Sequence, residues 1–312
     1  MCVSERPPSR SSAPLRESRQ RDCCARADCG IARPKVITLF AVPKAFAGEA
    51  AAVQRNALAS WTRLGDEVEI LLIGADEGVA EAAASAGARH IAAVETTEHG
   101  TPLVSSAFAL AREHSTRRLL AYVNADIVLL PDFPEAVRRI RFASFLCLGR
   151  RRDMATGELA PPDAIDYFVF DREGPLSELP KFAVGRPGWD NWMIYRARSL
   201  GIPVVDATRA ITAIHQAHGY EHVPERAGYR WYGPEANENF ELIKGLERFQ
   251  TRHATHVLTR FGCVPALTPR RVLSRIRSRG AVDGYVERTA RSVERLVRKN
   301  GSAETTQSGP SR

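Results

Sequence analysis

Residues 36–42 read Val-Ile-Thr-Leu-Phe-Ala-Val, a short apolar run in which four of the seven residues are β-branched. Such a run predicts a strand that is buried on both faces of a parallel sheet. The next segment, from about Gly48 to Leu64, has apolar side chains at helical spacing and predicts a helix. A second apolar run, Val68 to Ile73, predicts another strand, so this part of the chain reads strand, helix, strand.

The same alternation continues toward the middle of the chain. An alanine-rich helix is predicted at Val79–Ala86, a short strand near His90–Ala93, a helix at Pro102–His114 and a fourth strand at Leu119–Val123. Strands and helices that alternate in this way predict βαβ units with right-handed crossovers in a doubly wound α/β sheet. Ligands of such sheets bind beyond the carboxyl ends of the strands.

Four polar segments follow the predicted strands and are therefore the candidate site: Pro43-Lys44, Asp76-Glu77, Thr96 to Thr101, and Asn124 to Asp126. The second half of the chain is less regular. Apolar runs predict strands at Phe145–Leu148, Tyr167–Phe170 and Val204–Val205, and Trp189–Leu200 predicts a helix. We expect these strands to form a mixed sheet.

The positive charge of the protein lies at its two ends. The formal net charge is +8, with 8 basic and 4 acidic residues in 1–35, 11 and 4 in 264–312, and 25 and 28 between. We therefore expect a disordered basic tail at residues 1–34, a single α/β domain at 35–262, and a basic, partly helical extension at 263–312. A specific nucleic-acid role is not indicated, because no aromatic residues alternate with this charge and no recognition motif occurs.

The C-terminal extension contains a candidate amphipathic helix. Val286, Ala290, Val293 and Val297 recur at helical spacing among arginines. Such a helix could lie on an anionic membrane surface or pack on its own domain, and the sequence leaves both open.

The cysteines and hydropathy suggest a cytoplasmic protein. Four of the six cysteines lie in the N-terminal tail, and only Cys147 and Cys263 lie in the body, which predicts free thiols in a reducing compartment. No apolar stretch approaches the roughly 18 residues that a membrane-spanning helix needs.

Asn124-Ala125-Asp126 is the strongest candidate for chemistry. It stands between the apolar runs Leu119–Val123 and Ile127–Leu130, where a carboxylate is costly unless it is paired or bound to a metal. A hard cation such as Mg²⁺ or Mn²⁺ would take one or two protein oxygens there and complete its shell with phosphate oxygens and water. The alternative is that Asp126 only accepts hydrogen bonds from nearby backbone N–H groups.

Two further clusters carry polar side chains. Gly185 to Trp192 is a glycine-containing loop that opens a helix, and Asp190 near the helix N-terminus is either a cap or a general base. The tryptophans of this cluster, Trp189 and Trp192, could stack on sugar rings. His215, His218 and His222 could form a zinc cluster of a hydrolase, or be surface histidines, because the helical His-Glu-x-x-His signature is absent.

Taken together, these residues resemble the GT-A glycosyltransferase superfamily, the nucleotide-diphospho-sugar transferases. Those enzymes have an Asp-x-Asp element at the end of an early strand, and Asn124-Ala125-Asp126 is similar to it except that the first aspartate is asparagine. Phe40 to Phe46 resembles their first strand and loop, and Gln54 to Ala57 with Ser60-Trp61 resembles the helix that follows. The resemblance covers roughly residues 36–235 and implies a single Rossmann-like GT-A domain with a mostly parallel sheet and an irregular second half.

The resemblance also implies the roles of individual residues. Asp126, Asn124 and His215 would hold Mn²⁺ or Mg²⁺, although an amide oxygen at position 124 contributes no charge. Asp190 would be the general base if the reaction inverts configuration, and would orient the acceptor if it does not. The residues expected to bind the nucleotide sugar are Phe40, Ala41, Arg55, Asp76, Thr101, Asn124, Trp189 and Asn191.

The implied function is transfer of a sugar from a nucleoside-diphosphate sugar to a hydroxyl group of a glycan, lipid or small-molecule acceptor. Two alternatives remain: a non-catalytic nucleotide- or carbohydrate-binding module of the same fold, and the zinc hydrolase. ATPase, common dehydrogenase and α/β-hydrolase functions lose support, because their phosphate loop, Gly-x-Gly-x-x-Gly and nucleophile-elbow signatures do not occur.

Overall fold

A computed structural model describes residues 37–216, 233–244, 246 and 249–267, together with the backbone of 226–227 and 230–231. The predicted N-terminal tail, His218, His222 and the amphipathic helix at 286–297 lie outside the described residues.

The alternating pattern read from the sequence forms one large sheet. Nine strands make up this central sheet: β1 (Ile37–Ala41), β2 (Val68–Ile73), β3 (Arg89–Ile91), β4 (Leu119–Val123), β6 (Leu146–Arg150), β8 (Ile165–Asp171), β9 (Val204–Asp206), β13 (His256–Thr259) and β14 (Gly262–Pro265). Their order is β14-β13-β9-β6-β8-β4-β1-β2-β3. Five of the eight neighbouring pairs are parallel, so the expected mostly parallel α/β sheet is confirmed.

The second half of the sheet is mixed, as predicted. Strand β8 runs antiparallel to both of its neighbours, β4 and β6. A second, small sheet consists of β5 (Ile127–Leu129), β10 (Ala213–His215) and β7 (Arg152–Asp153), in the order β5-β10-β7. The remaining pair is β11 (Arg226–Ala227) with β12 (Arg230–Trp231).

Six α-helices are present in the described part of the chain: α1 (Gly48–Trp61), α2 (Val79–Ser85), α3 (Val104–His114), α4 (Asp132–Arg138), α5 (Trp189–Ser199) and α6 (Pro234–Leu242). Within these residues no helix is both long and apolar enough to cross a bilayer.

Alternation along the strands divides the core into two layers. Leu39 and Ala41 of β1 point into one layer, which includes Trp61 of α1. Phe40 points into the other layer with Phe108 of α3 and Trp189 of α5. A buried strand with apolar residues at every position is the pattern that a sheet covered on both faces requires.

Two observations bear on the expected ends of the domain and on its cysteines. Strand β14 pairs with β13 as far as Pro265, so the sheet continues three residues past the boundary drawn at 262. The rest of the domain division stays a prediction. Cys147 and Cys263 are free thiols, and burial raises the pKa of both.

Candidate active site

Polar side chains collect where β1, β2 and β4 end. These three strands are parallel neighbours, so the segments that follow them meet at one edge of the sheet. Asn124-Ala125-Asp126 makes the connection from β4 to β5, with a hydrogen bond from the Ile127 amide to the Asn124 carbonyl at 3.1 Å. The end of this connection is attached to α1, because Trp61 Nε1 donates to the Ile127 carbonyl at 2.9 Å.

Asp126 and His215 face each other at this edge. Their elements are paired, since His215 of β10 lies opposite Ile127 of β5 in an antiparallel ladder. The Nε2 atom of His215 lies 3.4 Å from Oδ2 of Asp126, and the two side chains are 10% and 21% exposed. The pairing of β5 with β10 therefore brings together a carboxylate and an imidazole that are 89 positions apart in the chain.

Gln216 holds the backbone of Asp126 in place. Its Nε2 donates to the Asp126 carbonyl at 3.1 Å and to the Val53 carbonyl of α1 at 2.8 Å. Its Oε1 accepts a hydrogen bond from Asn56 at 3.1 Å. Gln216 is buried and joins the helix after β1 to the connection after β4.

Asn124 is bound to a buried carboxylate. Its Nδ2 donates to Asp166 Oδ1 at 2.7 Å, and Arg151 donates to both oxygens of Asp166 at 2.9 and 2.8 Å. Burial raises the pKa of Asp166, the charge of Asp126 adds to this, and Arg151 opposes it. The asparagine therefore serves as a neutral donor to Asp166.

Asp190 stands in the first turn of α5, next to this carboxylate group. Burial of its carboxyl raises the pKa of Asp190 to about 6, and the negative charge of Asp166 acts in the same direction, while hydrogen bonds from the backbone of Asn191 and Gly188 oppose it. A carboxylate with this pKa is ionised at neutral pH and accepts a proton more readily than an ordinary aspartate.

Two basic side chains, Lys44 and Arg186, supply positive charge near these carboxylates. Lys44 follows β1, and its pKa is lowered by burial of the ammonium and by the charge of Arg186, while Asp126 raises it. Arg186 donates to Glu235 at 2.8 Å. Lys44 is therefore close enough to both Asp126 and Arg186 for their charges to act on its pKa.

Glu235 fixes the loops around Arg186. Only 1% of this residue is exposed, and besides Arg186 it accepts hydrogen bonds from Thr97 at 2.5 Å and Thr101 at 2.9 Å. Burial raises the pKa of Glu235, but the hydrogen bonds from the two threonines and the charge of Arg186 outweigh it, so the pKa is lowered. The first turn of α6 thus joins the loop before α3 to the loop before α5.

Three residues that were expected to contact the nucleotide sugar are core residues. Phe40 and Ala41 are fully buried in β1. Trp189 is 7% exposed and packs edge-on against Tyr122, with ring centroids 4.9 Å apart. Protein atoms surround these side chains, so their burial gives the predicted contact with a nucleotide sugar no support, and the contact stays a prediction. Trp192 is buried in the same layer.

Of the other residues expected to bind the nucleotide sugar, two are hydrogen-bonded to protein groups and two are exposed. The Thr101 hydroxyl donates to Glu235, and Asn191 donates to the Phe249 carbonyl at 2.6 Å, so both hold the scaffold. Asp76 is exposed directly after β2. Arg55 is exposed on α1, and its guanidinium lies 5.7 Å from the ring centre of Phe46.

Asp126 and His215 offer a carboxylate and an imidazole that could contact one cation together with a ligand. No group of three histidine, cysteine or carboxylate side chains suited to a metal occurs among the described residues. Mg²⁺ sites typically use one or two protein carboxylates plus substrate phosphates and water. Asn124 has only its Oδ1 left for such an ion, because Nδ2 is bound to Asp166.

Sequence reasoning missed four residues of this site: Arg151, Asp166, Gln216 and Glu235. Arg151 belongs to the run Arg150-Arg151-Arg152, and Asp166 stands at the start of an apolar run, positions that are typical of a solvated turn and of a strand start. Glu235 follows Gly233-Pro234, a sequence signal for a helix start that could have pointed to an acidic first turn. No local signal marks Gln216.

Comparison with protein-family models and with curated protein sequences gives no match. The chain is, however, similar to solved structures of nucleotide-sugar glycosyltransferases. Glucosyl-3-phosphoglycerate synthase from Mycobacterium tuberculosis, with Mn²⁺, UDP and glucosyl-3-phosphoglycerate, is 14% identical over 68% of this chain and 80% of that chain, with a TM-score of 0.44.

Two other solved structures are of the same kind. TarS from S. aureus in complex with UDP-GlcNAc is 10% identical over 68% of this chain and 65% of that chain, with a TM-score of 0.48. A mannosyltransferase from Pyrobaculum calidifontis in complex with GDP-Man and Mn²⁺ is 17% identical over 63% and 59%, with a TM-score of 0.41. At these values the function of this chain has to be argued from its own residues.

Proposed function

We propose that this protein transfers a sugar from a nucleoside-diphosphate sugar to a hydroxyl acceptor. The observation that carries the proposal is the pair Asp126 and His215, 3.4 Å apart at the carboxyl edge of a parallel sheet. Lys44 is close enough to Asp126 and Arg186 for their charges to act on its pKa. Asp190 has a pKa of about 6 and is within reach of the charge of Asp166. Breaking a glycosidic bond to a diphosphate needs this combination: charge neutralisation on one side and proton removal on the other.

Asp126 and His215 would hold the divalent cation, Mg²⁺ or Mn²⁺, with Asn124 Oδ1 as a neutral third donor. When bound, such a cation stabilises negative charge on a leaving diphosphate. Gln216 keeps the Asp126 backbone in one position, so the carboxylate need not reorganise when substrate enters.

Lys44 and Arg186 would bind the diphosphate. An anion that binds between these two side chains would reduce the repulsion between their positive charges. It would also favour their ionised forms, because opposite charges that lie close together attract. Glu235 holds Arg186 in place from the buried side at 2.8 Å. Asp76, exposed after β2, would contact the base or ribose, and Arg55 the phosphates.

Asp190 would take the proton from the acceptor hydroxyl if the reaction inverts configuration, and would orient the acceptor if configuration is retained. Its raised pKa favours proton acceptance near neutral pH. Asp166 is tied to Arg151 and Asn124, so Asp190 is the better candidate of these two carboxylates for moving a proton.

The proposal is tested by thermal shift with UDP, GDP and their sugars, each with and without Mn²⁺. We expect a nucleotide to stabilise the native protein more strongly when Mn²⁺ is present, and Asp126→Asn to remove that difference. Asp66→Asn is the matched control, because Asp66 is exposed in the turn before β2, at the opposite edge of the sheet. Stabilisation that is independent of both metal and Asp126 would defeat the metal role.

A measurement of donor turnover distinguishes an active transferase from a module of the same fold that only binds its ligand. Slow release of free sugar from the preferred donor, with water as acceptor, is expected for an active transferase and absent from a module that only binds. The zinc-hydrolase alternative depends on His218 and His222, which lie outside the described residues. It predicts one zinc per chain on metal analysis of the purified protein.

A further inference from the structure

The hairpin of β13 and β14 presents an aromatic side chain to solvent. Its two-residue turn is Arg260-Phe261, between the paired residues Thr259 and Gly262. The turn is well defined, because the Thr259 hydroxyl donates to the Gly262 carbonyl at 2.8 Å and accepts from the Phe261 amide at 3.1 Å. Phe261 is nevertheless 85% exposed.

Two more apolar side chains are exposed within six residues of Phe261. Leu267 is 70% exposed and Val264 is 44% exposed. Single exposed apolar residues are normal on a protein surface, but three within seven positions of the chain, in and after one hairpin turn, indicate a surface that meets another apolar phase.

Arginines surround the same hairpin. Arg139, Arg141 and Arg260 line a cleft of about 390 Å³ together with Phe142 and Phe261, and no carboxylate lines it. Within the part of the chain that the structure describes, the ion pairs do not include any of these three arginines.

The segment after α4 and the hairpin form the walls of the cleft. The segment after α4 passes close to the hairpin, with a Cβ built on Gly262 lying 3.7 Å from the Arg139 carbonyl oxygen. Phe142 packs on His256 with ring centroids 4.8 Å apart. Arg260 stacks on the Phe261 ring at 4.6 Å, so cation and aromatic ring project together.

The sequence continues this charge directly after the hairpin. Residues 268–299 include ten lysines and arginines and three acidic residues. An exposed aromatic residue among basic residues is the composition of surfaces that lie in the headgroup region of anionic membranes.

The hairpin tip lies at the same edge of the sheet as the candidate site. Strand β13 is parallel to β9, and β9 to β6, while β6 and β4 are both antiparallel to β8. The carboxyl ends of β13 and β4 therefore lie at one edge, four strands apart, which is about 19 Å at the usual strand spacing.

We propose that Phe261, with Val264, Leu267 and the three arginines Arg139, Arg141 and Arg260, forms a surface that binds an anionic lipid bilayer. Phe261 enters the interface between headgroups and acyl chains, and the arginines contact lipid phosphates. A bilayer fits better than an acidic protein, because Phe261 lies in the turn of the hairpin with most of its side chain exposed, beside basic side chains. The surface does not depend on the proposed catalytic function.

The test is flotation of the full chain with vesicles of phosphatidylcholine containing 30% phosphatidylglycerol, compared with phosphatidylcholine alone. We expect binding to the anionic vesicles only, and about a tenfold loss of affinity for Phe261→Ser, from the loss of one buried aromatic side chain. The double variant Arg141→Glu/Arg260→Glu should lose at least as much, at about 1 kcal/mol for each basic residue near the surface. Leu200→Ser and Arg63→Glu, at other exposed positions, are the matched controls and should bind like the native chain.

A local probe separates this surface from the basic tail. Phe261→Trp should give fluorescence that shifts to the blue and is quenched by brominated lipids, whereas Leu200→Trp should give neither effect. Vesicle binding that is unchanged in Phe261→Ser, with no quenching at position 261, would assign the binding to other residues and overturn the proposal. Thermal stabilisation by inorganic phosphate without vesicle binding would assign the cleft to a soluble anion and overturn it equally.

Discussion

The side-chain amide of Asn124 donates a 2.7 Å hydrogen bond to the buried carboxylate of Asp166. Asp126, two residues later, faces His215 instead. The first and last residues of Asn124-Ala125-Asp126 therefore have different roles. Asn124 binds Asp166, whose charge acts on Asp190, and Asp126 supplies the negative charge of the candidate cation site. An aspartate at position 124 would meet Asp166 as a like charge.

Asn124→Asp should destabilise the protein in a pH-dependent way. The variant loses the 2.7 Å hydrogen bond and places two carboxylates in contact, at a cost of about 1–3 kcal/mol at pH 8. Each carboxylate raises the folded-state pKa of the other, so the loss is greatest above that pKa and declines as the pH falls through it. Urea unfolding between pH 5 and 8 measures this. Asn124→Ala should show a loss that varies much less with pH, and equal pH profiles would contradict the explanation.

Arg151 should be essential for stability although its neighbour Arg152 is not. Arg151→Ala leaves Asp166, which is 6% exposed, without its ionic partner, and breaking such a buried pair costs about 3–5 kcal/mol. Because the pKa of Asp166 is already raised by burial, the loss should be larger at pH 8 than at pH 5.

The matched control is Arg152→Ala, since Arg152 is exposed and its guanidinium bonds to a single carbonyl, that of Gly157. Its effect should stay within about 0.5 kcal/mol. Equal free energies of unfolding for the two variants would show that the Arg151–Asp166 pair does not stabilise the fold.

Asp190 should control the pH dependence of donor hydrolysis. With a pKa of about 6, the base is protonated below pH 6 and ionised above it, so the rate should rise through pH 6 and level off near pH 7. Asp190→Asn should remove this rise and lower the rate by about 10²–10⁴-fold. Retention of both the rate and the profile would leave Asp190 as a helix cap.

Glu235 should be needed both for stability and for binding of the diphosphate. Glu235→Ala removes the acceptor of three hydrogen bonds at a site with 1% exposure and should cost about 3–5 kcal/mol. Release of Arg186 should weaken UDP or GDP more than the free nucleoside in calorimetric titrations. Glu238→Ala, on the exposed face of α6, should change neither quantity. A uniform loss for nucleoside and diphosphate would point to general unfolding.

Trp189 should behave as a core residue. Its ring packs against Tyr122 and Phe168 at 4.9 Å, so Trp189→Ala should lower the free energy of unfolding by about 3–5 kcal/mol. Trp189→Phe should recover part of this loss. If Trp189→Ala unfolds like the native protein and only sugar binding is lost, Trp189 is a ligand residue after all.

The sequence by itself determined the order and type of most elements. Helix α1 and strand β4 begin at the predicted residues, Gly48 and Leu119, because apolar periodicity is a local property that buried strands and helices require. The alternation of strands and helices also predicted which strand ends would meet at one edge of the sheet, and it pointed to Asn124 and Asp126 as candidate site residues.

Only the tertiary structure decided which polar side chains meet. His215 reaches Asp126 through the pairing of β10 with β5, and Arg151, Asp166 and Glu235 acquire partners from distant segments. The core positions of Phe40 and Trp189 likewise depend on what packs on each face of the sheet. Such contacts come from the register of strands and the docking of helices, and no local pattern in one sequence encodes them.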